Sequence, residues 1–161
     1  MSTAAAYNPP GERKPLAAYA TLTALFGTAV GAATLANRRA GRRLPERIGA
    51  GDLLLLGIAT HKLSRLIAKD KVTSVVRAPF TRYQEPAGHG EVEEQPRGSG
   101  LRLAVGELLV CPYCLAQWIA AGLVAGYVAA PRQTRAVAAV YFAETVSDFL
   151  QAGYRAAVDR A

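Results

Sequence analysis

A chain of 161 residues is long enough for one domain, and its 51% hydrophobic, 19% charged and only 7% aromatic residues favour Ala-, Leu- and Val-rich membrane helices over a compact soluble core. The net charge of +7 sits in basic clusters beside apolar blocks, without interleaved aromatics. That pattern argues against a nucleic-acid surface and suits a bilayer with anionic headgroups, while two cysteines, both in Cys111-Pro-Tyr-Cys114, exclude a disulfide-stapled secreted scaffold.

Residues 1–14 carry Pro9-Pro10 and no apolar period, so a disordered N-terminal tail is expected. From Pro15 to Asn37 there are 23 consecutive uncharged residues. At about 1.5 Å per residue they cross a hydrocarbon core of about 30 Å, which predicts a transmembrane helix over 15–37. Gly27 and Gly31 form a Gly-x-x-x-Gly pair suited to close helix packing. Arg13 and Lys14 before the block and Arg38, Arg39, Arg42 and Arg43 after it favour a retained anchor over a cleaved signal peptide.

Residues 48–83 read as a membrane-associated helix followed by an amphipathic segment. The helix opens on Leu53-Leu-Leu-Leu56 and then acquires His61, Lys62 and Arg65, so it either spans with snorkelling cations or lies in the interface. Lys69, Lys71, Arg77 and Arg82 surround Val72–Phe80, which Pro79 should end, and are expected among lipid phosphates together with Arg38, Arg39, Arg42 and Arg43. Residues 84–100, rich in Gly and Pro and holding four Glu, predict a flexible solvated loop.

Over 101–154 a transmembrane hairpin is expected. Leu108–Pro131 is 24 residues without a formal charge, and after Pro131–Arg135 the helix Ala136–Tyr154 is broken only by Glu144 and Asp148. The fold class is then all-α, an integral membrane bundle of three to four apolar helices in the plasma membrane. Counting basic residues prefers three full spans, with the N-terminus outside and the long loop cytoplasmic.

Two constellations could carry chemistry. Cys111-Pro-Tyr-Cys114 has the letters of the glutaredoxin redox site, with Cys111 suited to a helix N-cap, Pro112 to the first helical position and Cys114 one turn on. No strand–helix alternation of a thioredoxin-like domain surrounds it. Simple packing, a redox dithiol and a zinc site stay open; the last lacks ligands, since a closed site needs four and the histidines are His61 and His89. No cofactor is expected. Glu144 and Asp148 share one helical face, as do His61 and Arg65; charge at bilayer depth needs a partner, so an intramembrane cluster of these four is expected.

His61-Lys-Leu-Ser-Arg-Leu-Ile-Ala-Lys-Asp70, Arg77-Ala-Pro-Phe80, Glu107-Leu-Leu-Val-Cys-Pro-Tyr-Cys-Leu-Ala-Gln-Trp118 and Ser147-Asp148 together resemble the bacterial and phage membrane family DUF1360, over roughly residues 50–152. The resemblance implies a membrane location and no established activity; some similar proteins are associated with sporulation. With no recognised catalytic constellation, a scaffold, anchor or interaction protein is expected, engaging lipid and either a second copy or a membrane protein partner. A dithiol redox or metal-binding role at Cys111 and Cys114 is the alternative.

Overall fold

The fold comes from a computed structural model that describes residues 14–160 and Tyr7; most of the expected tail lies outside the described residues. The elements are α1 (Leu16–Arg39), α2 (Ala50–Lys69), a 3₁₀ turn (Lys71–Thr73) running into the single-turn α3 (Ser74–Arg77), β1 (Thr81–Gly88), β2 (Glu91–Pro96), α4 (Gly100–Val110), α5 (Pro112–Ala129) and α6 (Pro131–Val158).

Local chemistry sets the boundaries. Arg38 and Arg39 occupy the last turn of α1, where cations complement the helix dipole, and Gly41 follows at φ +70°. Pro112 and Pro131 stand at helix starts, where the missing N–H costs nothing. Ala130, alone between α5 and α6, sits at φ −152° and ψ 72°, outside the helical region that a residue before proline disfavours. Gly88, His89 and Gly90 all have positive φ and turn β1 back onto β2, antiparallel, from Thr81 opposite Pro96 to Gly88 opposite Glu91.

α2 is the central helix. Leu56 and Ala59 pack with Ala138 of α6, and Leu123, Tyr127 and Tyr141 close around them; Ala59 and Ala138 are fully buried, which lets the two backbones approach. Asp52 meets Tyr127 and Arg135 at one end and Lys62 meets Glu144 and Asp148 towards the other. α2 therefore runs parallel to α6 and antiparallel to α5. α1 lies outside this layer, along α4 and α5: Tyr19 bonds Glu107, Phe26 sits edge-on to Trp118 at 5.1 Å and Asn37 reaches Ala125.

The expected all-α bundle of three to four apolar helices is corrected on two counts. Residues 84–100, expected as a flexible loop, contribute most of an antiparallel two-stranded sheet, because glutamates expected in solvent are paired to α2 and α3. Among the described residues only α1 and α5 are long and apolar enough to cross a membrane. α2 and α6 carry Asp52, Lys62, Arg135, Glu144 and Asp148, which neutralise one another between those helices. The Gly27/Gly31 face packs on nothing: a Cβ at either position would meet open space.

Candidate functional site

The hairpin, the end of α2, α4 and the start of α5 converge at one end of the molecule, with Arg77 at their centre. Its side chain is fully buried, and all three guanidinium nitrogens donate. Nη1 reaches the Ile67 carbonyl at 2.6 Å and Thr73 Oγ1 at 2.7 Å; Nη2 reaches the Asp70 carbonyl and Ser74 Oγ, each at 3.0 Å. Arg77 thus caps the end of α2, donating to the Ile67 carbonyl and to that of the C-cap Asp70, which also accepts the Thr73 N–H at 3.2 Å. The fork then closes on Glu94 of β2, Nε to Oε2 at 3.1 Å and Nη2 to Oε1 at 3.0 Å, the bidentate geometry that arginine favours. Burial pushes the Glu94 carboxyl up, but hydrogen bonds from Arg77, Thr81 and Ser74 outweigh it and hold it below its ordinary value.

Two outer pairs extend the clamp. Arg65 grips Glu91 at 2.6 Å and Lys69 grips Glu93 at 2.8 Å: cations one helical turn apart on α2 face glutamates two apart on β2. The Arg77-Ala-Pro-Phe80 turn is held from the other side. Arg97 donates to the Ala78 carbonyl, Arg102 donates twice to the Pro79 carbonyl, and Gly106 of α4 sits so close that a Cβ would lie 2.7 Å from the Phe80 carbonyl oxygen.

Beside the clamp lies a charged cleft of about 600 Å³, lined by Lys62, Arg65, Asp70, His89, Asp148 and Arg155 among others. Lys62 Nζ lies 2.7 Å from Asp148 and 3.3 Å from Glu144, and Arg155 contacts His89 at the hairpin tip. Burial raises the Asp70 carboxyl; nearby Lys62 opposes that, while Glu91, Glu144 and Asp148 add to it.

The cysteines border a different hollow, about 530 Å³, between α1 and α4–α5, with Tyr19, Phe26, Glu107 and Trp118. Cys111 is the N-cap of α5 and its Sγ accepts the Cys114 N–H at 3.2 Å. Both thiols are free. The Tyr19 hydroxyl donates to Glu107 Oε2 at 2.5 Å. Among the described residues no group of three His, Cys, Asp or Glu side chains is placed to hold a metal ion.

Several expected positions change. Glu144 and Asp148 do face α2, but their partner is Lys62; Arg65 turns to Glu91, and His61 lines the neighbouring polar hollow with Asp148. Arg77, expected among lipid phosphates, is buried under the hairpin, and Lys69 is paired with Glu93. Lys71, Arg38, Arg39, Arg42 and Arg43 are exposed, the four arginines at the opposite end from the clamp. Glu91, Glu93, Glu94 and Glu107 were not anticipated as site residues. The available signal was a match of spacing: acids at 91, 93 and 94 against bases at 65, 69 and 77.

A family model matches residues 55–154, more than half of the chain. The chain belongs to DUF1360, a family of proteins of unknown function. The matched DUF1360 region takes in the clamp, both cysteines and most of the charged cleft, which Arg155 completes from just beyond it, and leaves out α1 and the arginines after it. This member is similar to Sporulation protein YjcA of Bacillus subtilis (strain 168), 32% identical over 75 residues, 45% of this chain and 64% of the relative. It is similar also to UPF0713 protein YngL of the same organism, 29% identical over 90 residues, 54% of this chain and 65% of the relative. The chain thus spans just under two thirds of the length of the curated relatives it matches. No solved structure matches it.

Proposed function

We propose that this DUF1360 protein is a membrane-anchored scaffold: α1 and α5 hold it in the bilayer, and the clamped hairpin end presents a docking surface to a membrane protein partner. The observation that carries this reading is the outward face of the clamp. Arg77 turns inward, so the valines of the same short segment turn outward, Val72 80% exposed, Val75 77% and Val76 55%. Neighbouring apolar side chains held on a rigid, ion-paired support suit recognition, since soluble surfaces rarely gather such patches. Ser147-Asp148 and Arg77-Ala-Pro-Phe80 then serve to build the support.

The geometry also supports a multi-pass arrangement. The N-terminal end of α1 lies beside Glu107 and so shares the hairpin's end, while Arg38–Arg47 lies at the other. Among the described residues the far end carries seven basic residues (Arg38, Arg39, Arg42, Arg43, Arg47, Arg132 and Arg135), and the hairpin end carries a comparable set that includes Lys69, Lys71, Arg77, Arg82, Arg97, Arg102 and Arg155. The basic residues thus divide almost evenly between the two ends, with the N-terminal end of α1 and the hairpin on one side of the bilayer and Arg38–Arg47 on the other. The chain returns to the hairpin's end along α2, which is no apolar span of its own: it packs against α5 and α6 with Asp52 neutralised by Arg135 and Lys62 by Glu144 and Asp148.

A photo-crosslinking residue at Val75 tests the docking surface, with Leu25 of α1 as the lipid-facing comparison. The expected result is a discrete protein adduct from Val75 and lipid adducts from Leu25. Lipid adducts alone from Val75 would contradict the docking surface.

A second reading, dithiol redox, is favoured by the placing of both free thiols on the hollow with Glu107. Under the scaffold reading, Cys111→Ser with Cys114→Ser leaves assembly and phenotype intact. Loss of phenotype with normal insertion would move the function to the thiols.

A further inference from the structure

We propose that the groove between α1 and α5 binds one anionic phospholipid, an acyl chain along the groove and the phosphate against Arg38, Arg42 and Arg43. The proposal rests on the reading that α1 and α5 lie in the bilayer, and goes beyond it by naming a specific ligand and its site.

The groove has a volume of about 260 Å³ and walls of small side chains, Ala29, Ala33, Gly122 and Ala125 among them. Phe26 and Trp118, edge to face at 5.1 Å, stand at its deep end. From Phe26 to Asn37 the helix rises about 16 Å, half of a hydrocarbon core of about 30 Å. The groove therefore has the depth of one leaflet, which fits one acyl chain and leaves its headgroup at the mouth.

The mouth is basic. Thr34 and Leu44 line the groove and also a second hollow of about 470 Å³ whose other walls include Arg38, Arg42 and Arg43. Asn37, 7% exposed, fixes this junction: its Nδ2 reaches the Ala125 carbonyl at 3.5 Å and its Oδ1 accepts Arg42 Nη1 at 3.2 Å. Among the described residues, none of the three arginines forms an ion pair with an acidic side chain, whereas Arg65, Lys69 and Arg77 beside the hairpin each do. An apolar slot one leaflet deep, opening on three cations without acidic partners, is complementary to an anionic lipid and to neither a zwitterionic lipid nor a free phosphate.

Native mass spectrometry of the full chain in detergent, offered equal phosphatidylglycerol and phosphatidylcholine, tests the site. The expected result is about a tenfold preference for phosphatidylglycerol. That preference should fall to parity in Arg38→Gln/Arg42→Gln/Arg43→Gln and also in Gly122→Leu, which fills the groove at a position where a Cβ meets open space; Arg39→Gln should keep it. Equal retention of both lipids by the unaltered protein, or a preference undiminished in Gly122→Leu, would overturn the site. So would full displacement by millimolar glycerol 3-phosphate, which would make the ligand a free phosphate. Carbonate extraction separates this from the underlying reading: if the unaltered protein is released from membranes, the anchoring itself fails. If it resists extraction and lacks the lipid preference, only the lipid site fails.

Discussion

Arg77 is the largest fully buried side chain among the described residues, and its ion pair with Glu94 has little solvent around it. A buried pair of this kind contributes modestly as a pair, yet breaking it leaves a charge without a counterpart, a loss of about 3–5 kcal/mol. Arg77→Met should therefore lower the thermal midpoint sharply in detergent. Adding Glu94→Leu should recover the part due to the stranded carboxylate, and not the part due to the lost cap on Ile67 and Asp70. A single-variant effect within about 0.5 kcal/mol, the range of ordinary surface substitutions, would contradict the clamp. Acid should act through the same carboxylate. Because Glu94 is held below its ordinary value of 4.5, its contribution is fully present above that pH and is lost as pH falls through the lowered folded value. Thermal melts from pH 6 to pH 3 should accordingly lose stability more steeply for the unaltered protein than for Glu94→Gln; parallel curves would place the acid sensitivity elsewhere.

At the scale of elements, the hairpin is secured by side chains from α2, α3 and α4 more than by its own two strands, since an isolated pair of strands is marginal in water. Gly106 is the tightest of these seats. Gly106→Ala puts a methyl 2.7 Å from the Phe80 carbonyl oxygen, a backbone atom that cannot swing aside, and should cost about 1–3 kcal/mol as overpacking. Limited proteolysis should then cut between Tyr83 and Arg97 faster than in the unaltered protein; an unchanged rate would show that α4 does not hold the hairpin. The two apolar blocks were legible in the sequence because length and missing charge suffice to identify helices α1 and α5, and Cys111-Pro112 marked the start of α5 by capping chemistry alone. The hairpin was not. Its strands lack period-two apolar alternation, and what orders them is charge pairing to residues about twenty positions earlier. The acidic face of α6 was legible, but its partner was missed: neighbouring positions on α2 are about 100° apart, so choosing Lys62 over His61 or Arg65 requires knowing how α2 is rotated in the packed state.

Over the whole molecule, the two ends differ in kind. One end gathers the clamp, the charged cleft and the cysteines. The other carries Arg38, Arg39, Arg42, Arg43 and Arg47 beyond a joint where Arg135 grips Asp52 twice at 2.7 Å and Tyr127 donates to the same carboxylate at 2.6 Å. The length of α5 separates them, 18 residues or about 27 Å, close to a hydrocarbon thickness. In the proposed arrangement these ends face opposite sides of a membrane. In a Cys111→Ser/Cys114→Ser background, Gln95→Cys on the hairpin and Glu46→Cys among the arginines should respond oppositely to a membrane-impermeant maleimide, one of them labelled in intact cells and the other only after permeabilisation. Equal labelling of the two before permeabilisation would put both ends on one side and contradict the account.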